Sequence, residues 1–482
     1  MKIFNICAEY APWCRTGGLG DVTAALPAAI KAAESDTLVV TALPLYQQVR
    51  EELARRDMVL ESTGLELDLE VAGRCFQGRW FILDSESDSP VYFLESDELF
   101  SGPGLYEMAP GSGLNLAHRF GYFCKAAYAS MGSLCAGRPD LLHLHDWHVA
   151  PIAWLNHQAP PDGRKPKSIL TIHNLAFQGW FEPEDAPEFD RHGDGEHVSF
   201  LKLGIEYADQ LTTVSPRYAV EIQTDEFGCG MEQTLCHRGV VGIVNGIDYS
   251  QWDPATDSAL VAPYSPQDPA GRIACRQALL ARAGWPTDLD QPIFGVVSRL
   301  AHQKGLDWVA DIVPQLKGLG ARLVLLGTGD EDLESTFQGL ARTHPDQLHA
   351  MLRFDDAIAR QIYAGADAFL VPSRFEPCGL TQLYAMRYGA VPVVNPVGGL
   401  RDTVYDGHKT KAQNGFLMQV GDSEGLYLTM ARAAGVWHQQ PERWAGIVAE
   451  GYRFDSRWRR SGAAYNRLYR SLIAAPNDEL RS

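Results

Sequence analysis

The sequence predicts an α/β protein built from two doubly wound, Rossmann-like parallel-sheet domains that face each other across a cleft. Three observations carry this. Short, nearly continuous runs of Val, Ile and Leu alternate with helix-length amphipathic stretches almost throughout, the pattern of strands covered on both faces by crossover helices. At 482 residues with 45% hydrophobic side chains, the chain is too long for one ordinary core and apolar enough for two. And a strand, glycine turn and helix recur in corresponding places in the two halves, each carrying cations.

In the first half the apolar run 3–8 leads into Arg15, Thr16, Gly17, Gly18, Leu19, Gly20 and Asp21, and a helical pattern follows over 22–33. Glycines let a backbone approach an anion, and the helix behind them turns free N–H groups and its positive dipole end toward it. Arg15 adds charge, while Asp21 can cap the helix or bond a sugar hydroxyl. Runs 38–43, 141–145 and 168–172 read as further strands. The second of these ends in His143, His145, Asp146, Trp147 and His148. Alternation puts His143 and His145 on one strand face and His148 beyond its end, so the three imidazoles need not converge as zinc ligands. Asp146 and Trp147 read better as a carboxylate for hydroxyls and an indole for the apolar face of a pyranose. The strand 168–172 ends beside them in His173 and Asn174, where His173 would touch the reacting sugar.

The first domain is expected to end at 244, before the turn-forming Asn245-Gly246, and to regain a closing helix over 456–482 that packs back on it; residues 245–455 form the second domain. There the strand run 293–297 precedes Ser298, Arg299, Gln303, Lys304 and Gly305. Two cations between a strand end and a helix start lie where α/β folds bind ligands, and fixed cations stabilise a leaving diphosphate without a metal. The run 368–371 precedes Ser373, Arg374, Phe375, Glu376, Pro377, Cys378, Gly379, Leu380 and Thr381. A helix opening here would favour the charge of Glu376, leaving it to accept bonds from sugar hydroxyls, and would aim the N–H groups of Cys378, Gly379, Leu380 and Thr381 at a phosphate. The acidic strings at 288–290 and 330–332 read as sheet-edge and helix-start charges, and no metal site is expected.

The net charge of −18 repels a polyanion and argues against nucleic acid, whereas a small anion is admitted where cations concentrate and a neutral polymer is indifferent to the field. No run approaches the roughly 18 apolar residues of a membrane span, and the first residues carry no basic leader pattern, so a cytoplasmic protein is expected. Nine scattered cysteines with no CxxC pair read as reduced thiols.

Taken together these segments resemble the bacterial glycogen and plant starch synthases, retaining glucosyltransferases of the two-domain GT-B fold. The likeness runs through residues 15–19, 145–148, 173–179, 207–209, 214–216, 245–248, 298–305 and 372–382, in the family's order. It implies transfer of glucose from ADP-glucose, with no cofactor, to the non-reducing end of an α-1,4-glucan. Carried over, Arg299 and Lys304 neutralise the departing diphosphate, Glu376 and Asp146 hold the donor glucose, His173 lies by the anomeric carbon, and Asn245 and Tyr106 lie near the glucose and acceptor. Two positions depart from the pattern. Arg15 stands for the family's lysine, a planar fork in place of a compact ammonium, and Phe354 stands for the usual tyrosine by the nucleobase, keeping the stacking face and losing the phenol bond. A related retaining glycosyltransferase using UDP-glucose or a small acceptor, and a glucan-binding scaffold without chemistry, are the competing readings.

Overall fold

The computed structural model describes all residues except 85–86, 88, 161–164, 191–196, 408–411 and 476–482. The chain divides into two compact units, Met1–Gly246 with Trp458–Ser482, and Ile247–Arg457.

The first unit holds a nine-stranded sheet. Its strands are β1 (Lys2–Ile6), β2 (Leu38–Pro44), β3 (Glu61–Val71), β4 (Arg74–Leu83), β5 (Val91–Glu95), β6 (Leu141–His145), β7 (Lys167–Ile172), β10 (Gln210–Thr213) and β11 (Val240–Gly242); β8 (Trp180–Phe181) and β9 (Val198–Ser199) form a separate small hairpin. The order is β11-β10-β7-β6-β1-β2-β5-β4-β3. All neighbours from β11 to β5 are parallel, but β5–β4 and β4–β3 are antiparallel, so the expectation of a wholly parallel sheet fails at this edge. The reason lies in the side chains. Leu65, Leu67 and Leu69 of β3 alternate with Glu66, Asp68 and Glu70, which suits a sheet edge with one face in water and not a strand buried on both sides. The closing helix Trp458–Ala474 lies along the helix Gly18–Ala33, with Trp458, Tyr465 and Tyr469 buried among Ile3, Val22 and Leu26.

The second unit holds a parallel six-stranded sheet of β12 (Ile293–Val297), β13 (Arg322–Leu326), β14 (Leu348–Met351), β15 (Ala368–Val371), β16 (Val391–Val394) and β17 (Phe416–Leu417), in the order β14-β13-β12-β15-β16-β17. Successive residues feed opposite cores: Ile293, Val324, Phe369 and Val394 pack on one face, Phe294, Leu323, Leu370 and Val393 on the other. Each such side chain contributes about 1.5–3 kcal/mol of burial, which is why these strands read as unbroken apolar runs.

Chain order reverses between β1 and β6 in the first sheet and between β12 and β15 in the second. Loops leaving adjacent strands at such a point diverge to opposite faces and open a crevice at the carboxyl edge. The loops after β1 and β6, and those after β12 and β15, are those in which the sequence places Arg15, Asp146, Arg299, Lys304 and Glu376.

Candidate active site

In the first unit the glycine turn is as open as an anion site needs. Gly17 caps the helix Gly18–Ala33 with an extended φ of −167° that any residue adopts, and a Cβ there would meet nothing within 4 Å. Neither backbone nor packing demands this glycine, so what it provides is free room in front of a helix start. Asp21 is not the cap. It lies inside the first turn and pairs with Arg15 at 3.0 Å, which corrects its expected capping role and steadies the guanidinium.

Glu9, which sequence reasoning passed over, organises the loop. Its buried carboxylate accepts from the Thr16 N–H at 2.7 Å, the Thr16 hydroxyl at 2.8 Å and the Tyr106 hydroxyl. Tyr106 also stacks on His148 at 5.1 Å. The available signal was a carboxylate immediately after an apolar strand, a position that needs donors when buried.

Asp146 follows β6 with φ +61°, a left-handed conformation that a non-glycine residue holds only when its surroundings impose it. One carboxylate oxygen accepts from the His173 N–H at 2.6 Å and from the Asn174 N–H at 3.4 Å, tying the end of β6 to the end of β7. Burial pushes its carboxyl up to about 7 against the pull of those two N–H groups, and the charge of Glu9 adds to the rise. Since an unfolded aspartate titrates near about 3.9, the fold keeps a proton that the unfolded chain has released over the interval between. Native stability should therefore fall as pH rises from about 4 to about 7 and level off above. Asp146→Asn should remove that contribution, so its melting temperature measured against the wild type should gain steadily from pH 4 to 7; a constant difference would contradict the assignment.

Trp147 is buried and committed to packing, edge-on to Phe120 at 5.0 Å and against His148 at 4.1 Å, with Gly179 pressed on its ring. The sugar-stacking face expected of it is used up in this core, a correction to the sequence reading. Asn174 turns back to accept from the Ala176 N–H at 3.1 Å and shapes the loop that follows His173. Asn245 is 5% exposed and its side-chain oxygen has no partner among the described residues, a buried acceptor that awaits a donor. His143, His145 and His148 go separate ways: His143 bonds Thr171 at 2.7 Å and Tyr469 at 2.9 Å, His145 bonds Asn5 and His173, and His148 stacks on Tyr106. Among the described residues no group of three His, Cys, Asp or Glu side chains is arranged to hold a metal ion.

In the second unit Lys304 and Glu376 meet. The ammonium donates to the carboxylate at 2.7 Å, with side chains 22% and 10% exposed, and the Ser373 hydroxyl donates to the same oxygen at 2.8 Å. The helix expected to start at Glu376 begins only at Thr381, and the groups that meet its carboxylate are Lys304 and Ser373. Arg374, absent from the sequence-derived set, locks the two loops together: it donates twice to Asp307, at 2.7 and 2.6 Å, and lies 4.1 Å over Trp308. Gly398 allows a third loop in, because at φ +44° a Cβ would stand 1.9 Å from the Glu376 carbonyl. Arg299 is exposed just past β12 and its guanidinium meets no acceptor among the described residues. Cys378, Gly379 and Leu380 lead into the helix Thr381–Arg387, whose first N–H groups lack helical partners by geometry. Phe354, 77% exposed, stands just beyond β14.

Comparison with known proteins shows the family of the chain. Residues 2–237 match the family model of the starch synthase catalytic domain, and 291–434 match glycosyl transferases group 1. The chain is 40% identical to a glycogen synthase of Anaeromyxobacter dehalogenans over 98% of its own length and 100% of the relative's. It is 39% identical to a glycogen synthase of Syntrophotalea carbinolica over 98% and 99%. Among solved structures it is similar to the catalytic domain of starch synthase IV from Arabidopsis thaliana bound to ADP and acarbose, with a TM-score of 0.87, 30% identity and coverage of 98% and 99%. A sucrose-phosphate synthase from Thermosynechococcus elongatus, at TM-score 0.62 and 18% identity over 98% and 100%, shares the fold.

Proposed function

The chain belongs to the glycogen and starch synthase family of retaining glucosyltransferases with the GT-B fold, and on that premise we propose how its own residues serve the transfer. The donor in this reading is ADP-glucose and the acceptor is the non-reducing end of an α-1,4-glucan, in the cytoplasm. The observation that carries it is the Lys304–Glu376 pair at the carboxyl edge of the second sheet, beside the reversal point. One partner is the right charge for a departing diphosphate and the other the right acceptor for sugar hydroxyls, and their mutual bond at 2.7 Å brings both to the same place at the sheet edge.

Arg299 adds the second cation, and the N–H groups of Gly379, Leu380 and Thr381 face the phosphates. Phe354 stacks on the adenine. The first unit contributes Arg15 in front of the Gly17-Gly18 turn, Asp146 and Asn245 toward glucose, His173 beside the anomeric carbon, and Tyr106 toward the acceptor. The acceptor hydroxyl attacks from the face the diphosphate leaves, so no carboxylate nucleophile takes part and the configuration is retained. The chain's cations carry the leaving-group charge, and no metal or other cofactor enters this reading. No helix among the described residues is long and apolar enough to cross a membrane.

The test is transfer of labelled glucose to glycogen from ADP-glucose and from UDP-glucose in parallel. ADP-glucose should be used at least about tenfold faster, the scale on which a few altered pocket contacts discriminate. Faster use of UDP-glucose would overturn the donor assignment and turn attention to Arg15. Tight glycogen binding with no transfer from either donor would restore the scaffold reading.

A further inference from the structure

One buried polar chain in the first unit is left unexplained by the assignments above. Asn5 sits in the central strand β1 among Ile3, Phe4 and Ile6, fully inside the sheet, where an amide is costly unless each of its groups is matched. Its matches run across four adjacent strands. In register with Asn5 on β2 is Thr41, whose hydroxyl accepts from the Asn5 amide nitrogen at 3.2 Å. On the other side the Asn5 oxygen lies 2.8 Å from His145 Nε2 on β6, and His145 Nδ1 lies 2.9 Å from His173 Nε2 just past β7.

This order has a direction. The Asn5 oxygen can only accept, so His145 must carry its proton on Nε2. A neutral imidazole then has a bare Nδ1, and the 2.9 Å contact is a bond only if His173 donates from its own Nε2. Burial holds both rings neutral, pushing His145 well below the usual imidazole range and His173 down to about 3. His173 is left with an unprotonated Nδ1 as its one remaining polar atom.

We propose that Thr41, Asn5 and His145 are positioning residues that fix the tautomer and ring orientation of His173, so that it presents an acceptor nitrogen and never an N–H donor. The proposal rests on the reading that places His173 at the reacting sugar. An acceptor at that point selects a sugar face that offers a hydroxyl proton, and a ring free to reverse its tautomer would present the wrong polarity part of the time.

The test is the tautomer itself. Full-length protein labelled with 15N in its histidine rings would be studied by long-range 1H–15N spectra, with His145 and His173 identified from His145→Gln and His173→Gln. Both rings should carry the proton on Nε2 in the wild type. Asn5→Leu removes the acceptor that sets the direction, and the milder, nearly isosteric Thr41→Val only frees the Asn5 amide to turn over. Both should give mixed tautomers at His173 and lower kcat by about 10- to 100-fold, the cost of a misplaced reacting group, with little change in the KM for ADP-glucose. Protons on Nδ1 of both rings in the wild type, or unchanged tautomers in folded Asn5→Leu and Thr41→Val, would overturn the proposal. Tautomers that move while kcat holds would support the relay and overturn instead the placement of His173 at the sugar.

Discussion

Lys304→Ala should lower kcat by about 10²–10³-fold, the range seen when one preorganised group is removed from developing transition-state charge, while the KM for ADP-glucose changes far less. The donor diphosphate is already charged in the ground state, but bond breaking adds charge to it, and a fixed ammonium in a partly dehydrated loop stabilises the addition. Lys304 has a second effect to be separated from this one, because it also holds Glu376 at 2.7 Å. A double-mutant cycle with Glu376→Gln does so. If Lys304 acts only by steadying Glu376, its removal costs nothing further once Glu376 is neutral; if it acts on the leaving group, most of the loss persists. Lys304→Arg should recover part of the rate, since the charge returns on a planar fork that cannot occupy the same point. Turnover unchanged in Lys304→Ala would remove the residue from the mechanism and, with it, the observation on which the functional reading stands.

How much of this the chain discloses in advance depends on the range of the interactions concerned. The second sheet was legible because residues 293–297, 323–326 and 368–371 carry no charged or polar side chain, and only strands covered on both faces need that. The β3–β4 edge was missed although Leu65-Glu66-Leu67-Asp68-Leu69-Glu70 states the alternation openly, because the parallel reading of its neighbours was extended over it. The cationic loops could be found because strand, turn and helix are local in sequence. What was not legible were bonds between distant positions: Glu9 to Tyr106, Arg374 to Asp307, and Asn5 to His145, each an ordinary polar residue until the fold supplies its partner. Trp147 shows the converse, since an indole beside a carboxylate fits a sugar site and a core equally well, and only the packing of Phe120, His148 and Gly179 decides for the core.

The largest loss of stability is expected at one of these illegible positions. Arg119 lies in the helix Leu116–Leu134 and is 0% exposed, a charge that sequence alone would assign to a solvated helix face. Its guanidinium instead donates to four backbone carbonyls: Leu99 at 2.7 Å, Gly104 at 3.0 Å, Leu105 at 2.5 Å and Glu107 at 3.0 Å. The planar fork thus gathers the loop that carries Tyr106, and through it the bond to Glu9. Arg119→Met keeps most of the buried stem and removes every donor, leaving the four acceptors to find water or go unpaired. At about 1–3 kcal/mol for a fully orphaned group, and with some of the four recovering water as the loop opens, the net loss should be about 3–4 kcal/mol. Urea unfolding followed by the fluorescence of the first unit would measure it. Arg119→Lys should fall between, since one ammonium cannot span acceptors arranged for a fork. The loop geometry predicts a separate kinetic mark: the acceptor KM should rise in Arg119→Lys at temperatures where the protein stays folded, because Tyr106 and Glu9 lose their fixed approach. A loss below about 1 kcal/mol in Arg119→Met would mean that the loop holds its shape without the fork, and the positioning of Tyr106 would then have to come from its stacking on His148 alone.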